Sequence, residues 1–365
     1  MRTTVAVVDQ QGAEFTFEEV ELDAPRADEV LVRIVATGLC HTDISLRDVL
    51  PAEMFPRVFG HEGAGVVEEV GSEVSGISVG DHVVLSLRSC RSCSRCERGE
   101  VGYCENSMLL NYMGMRMDGS TTHTRDQGPL YGSFFGQSSF ARHALATADN
   151  VVVVDPDLDL TRVGPYGCGF QTGAGAVLNV LRPGPGDSLA VYGVGAVGLA
   201  AIAAAVGAGV ETVVAVDLAP GRLEVAASYG ALTVNPADLG DVSLVDTVKE
   251  LTGGGASGAI DTTAVPAVIK QAAQALGPRG ELVILGLGAE EFSLDAIDLM
   301  QNGKVVRGSV EGDSDPLEMV PRLLGLSAAG QFDVDRLVAP YAFSEINTAM
   351  HDLLEGRVVK PVLVW

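Results

Sequence analysis

Residues 188–218 read SLAVYGVGAVGLAAIAAAVGAGVETVVAVDL. LAVY is a short apolar run of the kind that forms a buried strand, GVGAVG is a turn, the alanine-rich segment is helical, and TVVAVD is a second buried strand. Gly193, Gly195 and Gly198 therefore fall as G-x-G-x-x-G between a strand and a helix, the context that gives three spaced glycines a meaning. In that frame the glycines permit a tight turn, close backbone approach to a pyrophosphate and close helix–strand packing. The helix N-terminus, with its unpaired N–H groups, would face the anion. Asp217 ends the second strand about 20 residues past the last glycine, where a carboxylate bonds the adenosine ribose and disfavours a 2′-phosphate. It also precedes Pro220 closely enough to cap the next helix, and both roles can coexist. Arg222, five residues on, would offset part of the repulsion toward a phosphate.

The alternation continues outward. LVDTVKELTG and AVIKQAAQAL read as helices, and GAIDTT, ELVILGLG and KVVRGSV as strands, which implies a doubly wound parallel sheet. Upstream, EVLVRIVATG and GAGVVEEVG are short β-rich runs broken by glycine. The expected architecture is α/β with two domains. Residues 1–169 and 311–365 form a β-rich domain, and residues 170–310 form the Rossmann cofactor domain, with the active site in the cleft between them.

Composition narrows the partners. A net charge of −24 excludes a basic nucleic-acid footprint. No apolar run reaches the length of a membrane span. The first residues, MRTTVAVVDQQGAEF, contain no apolar signal core, so the expected location is the cytoplasm. A Ser/His/Asp hydrolase is set aside because no nucleophile elbow is read in the chain.

In a reducing compartment, clustered cysteines favour metal over disulfides. Cys90, Cys93, Cys96 and Cys104 are spaced C-x2-C-x2-C-x7-C, and the residues between them offer little to bury. Four thiolates close a tetrahedral zinc site, and the ion would organise a loop that hydrophobic burial cannot. An iron–sulfur cluster or disulfides are the competing readings. Cys40 in TGLCHTD, His61 in FGHEGAG and Cys168 in GPYGCGF are each unremarkable alone, but glycines flank all three. Two cysteines and a histidine are one of the ligand sets of catalytic zinc.

GHEGAGVVEEVGSEV, CHTD, the four-cysteine loop and GVGAVG together resemble the zinc-dependent medium-chain alcohol dehydrogenases, across essentially the whole chain. The resemblance implies a GroES-like catalytic domain, two zinc ions per chain, NAD, and a homodimer or homotetramer. It implies that Cys40, His61 and Cys168 hold the catalytic zinc and that Cys90, Cys93, Cys96 and Cys104 hold the structural one. Glu62 matches a residue that approaches the zinc, and Asp43 a carboxylate that would fix the His61 tautomer. Thr42 matches the hydroxyl that takes the alcohol proton, although it could equally cap the helix TDISLRDVL. Where better-known members place a relay histidine this chain has Ser45, so Ser45 with water, or His41, would finish the relay. His41 also falls where a basic residue meets cofactor phosphates. Thr172 matches a contact near the nicotinamide, and a basic residue at Arg222 is compatible with NAD.

GSFFGQSSFARHAL and GKVVRGSVEGDSDPLEMVPRLLGL resemble the aryl (benzyl) alcohol dehydrogenase branch, which implies oxidation of primary aromatic alcohols to aldehydes. Leu46, Leu50, Met54 and Phe55 are candidates for an apolar pocket lining. The competing substrates are aliphatic or terpenoid alcohols, or glutathione- and mycothiol-linked formaldehyde, for which Arg116 or Arg125 would supply charge. A zinc-stapled nucleotide-binding sensor without catalysis is the alternative from another class.

Overall fold

Apolar, β-branched runs become strands along the first half of the chain. The computed structural model describes residues 1–365. It contains β1 (Arg2–Val8), β2 (Thr16–Leu22), β3 (Glu29–Gly38), helix α1 (His41–Val49), β4 (Arg57–Val58), β5 (Gly63–Val70), β6 (His82–Leu85), β7 (His123–Arg125), β8 (Gly128–Leu130), β9 (His143–Thr147) and β10 (Val151–Val154). A short helix α2 (Leu160–Val163) and a tight turn, Gly164–Gly167, lead to Cys168.

The second half alternates as its periodicity dictates. Helix α3 (Gly169–Gly175) is followed by β11 (Ser188–Tyr192), α4 (Ala196–Gly207), β12 (Thr212–Val216), α5 (Pro220–Ser228), β13 (Leu232–Val234), α6 (Leu244–Leu251), β14 (Ala256–Asp261), α7 (Pro266–Ala275), β15 (Leu276–Ile284), α8 (Ala296–Asn302) and β16 (Val305–Gly308). These six strands form one parallel sheet in the order β13-β12-β11-β14-β15-β16. That is the doubly wound order whose reversal point lies beside the first strand. In the turn after β11, Gly193 has φ +82, and a Cβ on Gly198 would lie 2.1 Å from the Gly193 carbonyl. Both positions therefore require glycine.

The chain ends with α9 (Pro316–Ala328), β17 (Val338–Ala342), α10 (Ile346–Leu354) and β18 (Lys360–Val364). Met1–Cys168, Asp315–Leu324 and Leu337–Trp365 form one compact unit, and Gly169–Ser314 with Gly325–Arg336 forms the other. The C-terminal stretch is thus shared, with Gly325–Arg336 grouped with the parallel sheet.

Two sheets build the first unit, ordered β4-β1-β2-β7-β8 and β10-β6-β5-β3-β18-β17, with β9 also pairing β3. One register matters most. Thr37 pairs Gly63 and Ala36 pairs Ala64, so the end of β3 lies beside the start of β5. The residues just beyond, Cys40 and His61–Glu62, are carried to the same place. On the other side of β3, Val362 of β18 pairs Gly38, which brings the C-terminal strand alongside.

Candidate active site

Cys40 is the N-cap of α1, His61 and Glu62 immediately precede β5, and Cys168 follows the Gly164–Gly167 turn. One donor atom from each of these four residues lies within 4.8 Å of the others. Asp43 organises them. Its carboxylate accepts from the Cys40 N–H at 3.1 Å, from the Gly60 N–H at 3.0 Å and from Nδ1 of His61 at 2.9 Å. With Nδ1 taken, the free donor of His61 is Nε2, which is buried and has no hydrogen-bond partner. A buried ring nitrogen so placed among two sulfurs fits a metal ion.

The lowered Cys40 thiol agrees with that reading, and a metal ion at Nε2 would displace the second ring proton that Asp43 favours on His61. The hydrogen bond from Cys168, opposed by burial and aided by Lys360, holds the Cys40 thiol well below its usual range. Burial disfavours a charged His61 ring, but Asp43 outweighs it and raises the ring well above its ordinary value. Burial also raises the Glu62 carboxyl, with Lys360 opposing the rise. Lys360 Nζ lies 2.8 and 2.9 Å from the two Glu62 oxygens, with both side chains buried. Glu62 is therefore engaged by a cation, and the donors left for a metal are Cys40, His61 and Cys168.

Sequence reasoning missed Lys360 in this role. The only signal is local: a lysine at the head of the apolar strand KPVLV, in a chain with few lysines, implies a buried partner without naming it.

The other predicted residues are placed as follows. Thr42 lies in the first turn of α1, with its Oγ1 3.7 Å from the Cys40 sulfur. It is not the helix cap, because Cys40 holds that position and Asp43 closes the box from three residues later. His41 is exposed at the start of α1, and Ser45 is half-buried one turn past it. Thr172, in α3, donates to Glu311 at 3.1 Å, and Gln171 donates to the same oxygen at 3.0 Å. Asp217 accepts from the Val194 N–H in the glycine turn at 2.7 Å and from the Ala219 N–H at 2.8 Å. The N-cap of α5 is Ala219, so Asp217 ties the turn to the helix start instead of capping it. Arg222 is in the first turn of α5. A Cβ on Gly195 would meet nothing within 4 Å, so the space in front of the α4 N-terminus suits a pyrophosphate.

The four-cysteine loop is equally well gathered. Its sulfurs lie within 4.8 Å of one another, with Cys93–Cys96 at 3.5 Å and both Cys90–Cys96 and Cys93–Cys104 at 4.0 Å. A tetrahedron with bonds of about 2.3 Å has edges of about 3.8 Å. These separations exceed a disulfide bond nearly twofold, which removes the disulfide reading. They also leave space for one ion and none for a cluster carrying its own sulfides. A hydrogen bond from the Ser92 backbone draws Cys90 down to about 5, whereas burial and then Cys93 push Cys96 up to about 12. Four thiolates charge together only around a cation. Cys93→Ser should consequently lose one of two zinc ions by metal analysis and melt earlier, while nicotinamide binding to the parallel-sheet unit persists.

Residues 26–156 match the family model described as an alcohol dehydrogenase GroES-like domain, and residues 196–329 match that of a zinc-binding dehydrogenase. The geraniol dehydrogenase of Castellaniella defragrans is 42% identical over 364 residues, covering 99% of this chain and 97% of that protein. The chain belongs to the zinc-binding alcohol dehydrogenases. Zinc and NAD are the cofactors of this family. A crystal structure of benzyl alcohol dehydrogenase from Acinetobacter calcoaceticus is 38% identical, with a TM-score of 0.95 over 100% of this chain and 99% of that one. An alcohol dehydrogenase zinc-binding domain protein from Burkholderia ambifaria is 44% identical, also at a TM-score of 0.95, with coverage of 100% and 99%.

Aromatic rings surround the histidine of this dehydrogenase. Phe135 stacks near the His61 ring at 4.6 Å and 31°, and Phe134 meets it edge-on at 5.6 Å. Tyr112 packs on Phe135 at 5.3 Å, and Phe59 on Phe134 at 5.1 Å. Leu46, Leu50 and Phe55 belong to the same apolar cluster.

The arginines considered for a polar adduct are engaged elsewhere. Arg116 is buried against Glu29 and Asp23, and Arg125 bonds Asp9 and Glu18. The letters G-x-S-x-G occur once, at Gly76–Gly80. That stretch is an exposed turn in which the Ser78 N–H donates to Asp81 at 2.8 Å, so it is no strand-to-helix elbow. No helix is long and apolar enough to cross a membrane.

Proposed function

We propose that this dehydrogenase oxidises a primary alcohol whose carbinol carbon is bonded to unsaturated carbon, foremost a benzyl-type alcohol, to its aldehyde with NAD. The observation that carries the reading is the donor set Cys40, His61 and Cys168 backed by the rings of Phe134, Phe135 and Tyr112. When bound, zinc supplies Lewis acidity that lowers the pKa of an alcohol, and NAD accepts the hydride.

The chain's own groups do the rest. Asp43 fixes the His61 ring with Nε2 toward the sulfurs. Glu62 and Lys360 neutralise each other behind it. Thr42 takes the alcohol proton, since a hydroxyl accepts and donates at once. Ser45 lies three residues on along the same helix face and, with water or His41, passes the proton outward. Asp217 keeps an oxygen lone pair for the ribose, and Gly193, Gly195 and Gly198 admit the pyrophosphate, with Arg222 and Thr172 as further cofactor contacts. A homo-oligomer belongs to the same reading, as the edge strand β16 leaves Val305 exposed and α8 leaves Met300 exposed.

A second reading is supported by the geraniol dehydrogenase relative. Geraniol is an allylic primary alcohol, so it shares the sp2 neighbour of benzyl alcohol without the ring. The wall of flat rings favours the aromatic case, because stacked or edge-on partners gain most from a planar substrate. The test is a panel of benzyl alcohol, geraniol, hexanol and S-hydroxymethyl thiols, followed by reduced-nicotinamide absorbance with NAD or NADP. Highest kcat/KM on benzyl alcohol with NAD is expected. Preference for hexanol or a thiol adduct would defeat the proposal, and preference for geraniol would select the second reading.

A further inference from the structure

Arg57, in the two-residue strand β4, is wholly buried, and no carboxylate pairs with it. Its guanidinium donates to three main-chain carbonyls: Met54 at 3.3 Å, Tyr112 at 2.7 Å and Met113 at 3.0 Å. The ring centroids of Phe59 and Tyr131 each lie 5.7 Å from it. Burial lowers the group to about 10, so it remains a cation at neutral pH.

A cation without a counter-ion is an expensive way to fill a core. An apolar side chain of similar volume would pack there without the desolvation cost. The geometry shows what the cation does instead. Met108–Tyr112 is a single wide helical turn, and the last carbonyls of such a turn have no partner within it. Arg57 satisfies two of them and, through Met54, ties them to the segment that follows α1. A planar fork of fixed donors can hold three carbonyls at once. From there the contacts are continuous: the Tyr112 ring packs on Phe135, and Phe135 packs on His61.

We propose that Arg57 is a positioning residue that fixes Tyr112 in the aromatic wall and so sets which alcohols fit beside the metal-ligand cluster. The proposal rests on the benzyl-type reading for its substrate, but the clamp itself does not.

Arg57→Lys keeps the charge and loses the fork, and Arg57→Gln loses the charge. Both should bind zinc and NADH as the parent does. Hydrogen exchange, read by mass spectrometry on the holoenzyme, should accelerate about tenfold in residues 107–114 and stay unchanged elsewhere. The ratio of kcat/KM for benzyl alcohol to that for ethanol should fall about tenfold, mainly through the benzyl alcohol KM. Tyr112→Ala, which leaves the carbonyl that Arg57 holds, should lower the ratio similarly and decides the matter should the arginine variants fail to fold. An unchanged ratio in Tyr112→Ala overturns the proposal. So does parental exchange in 107–114 of a folded arginine variant, or accelerated exchange with an unchanged ratio. A parent that oxidises no alcohol in the panel would refute the functional reading, and the exchange data would still decide the clamp.

Discussion

Cys168→Ser should yield a folded chain that holds one zinc instead of two and turns alcohols over at least about 10³-fold more slowly than the parent. The magnitude follows from the role. Lewis-acid stabilisation of developing charge is worth several kcal/mol, and each 1.4 kcal/mol is a factor of ten in rate. Folding should survive because Cys168 lies at a turn after α2, outside every sheet, and the four-cysteine loop keeps its own ion. Circular dichroism, metal analysis and initial rates on one preparation check all three parts. Parental turnover by a one-zinc variant would show that Cys168 is not a ligand of the reacting centre.

The second large effect is on stability. Lys360→Met should destabilise the chain by about 3–5 kcal/mol in urea titrations, because Glu62 would be left charged and unpaired in a fully buried position. The deciding measurement is the double variant Glu62→Gln with Lys360→Met, which should recover most of that loss. The cost belongs to the orphaned carboxylate and not to the missing contact, so removing both charges should be milder than removing one. A double variant as unstable as the single one would contradict this account. Any recovery of stability should come without recovery of full activity, since neither the carboxylate nor the ammonium beside the donor cluster would remain.

What the sequence made legible follows from which interactions are local. The four-cysteine loop carries its spacing within one short segment, and GVGAVG sits between its own strand and helix. Both could be read because the chemistry and the chain neighbourhood coincide. Cys40, His61 and Cys168 are far apart in sequence, and apart from the family resemblance the glycines around each are the only local hint.

The remainder depends on tertiary partners. Lys360 and Glu62 meet because β18 pairs with β3, which in turn pairs with β5, and no pattern within KPVLV announces that. Nothing in FPRVFG marks Arg57 as buried, because two of the carbonyls it serves lie more than fifty positions away. Thr42 is a reasonable cap by residue type, yet the cap lies two residues earlier, at Cys40, because Asp43 satisfies the Cys40 N–H. Arg116 and Arg125 looked available for a charged substrate only because their carboxylate partners, Asp23, Glu29, Asp9 and Glu18, lie far back in the sequence.

The pairing of Lys360 with Glu62 has a consequence for biosynthesis. Chains emerge from the ribosome N-terminus first. Cys40, His61, Glu62 and Cys168 are all translated well before Lys360, so the nascent chain can gather two thiolates, an imidazole and a bare carboxylate with no ammonium beside them. In that interval the carboxylate, which lies among the donors, has no ammonium to engage it and is free to compete as a metal ligand. Docking of the final strand ends it, and a chaperone or metal supply that delays or hastens that docking would change how much of the newly made protein matures correctly loaded.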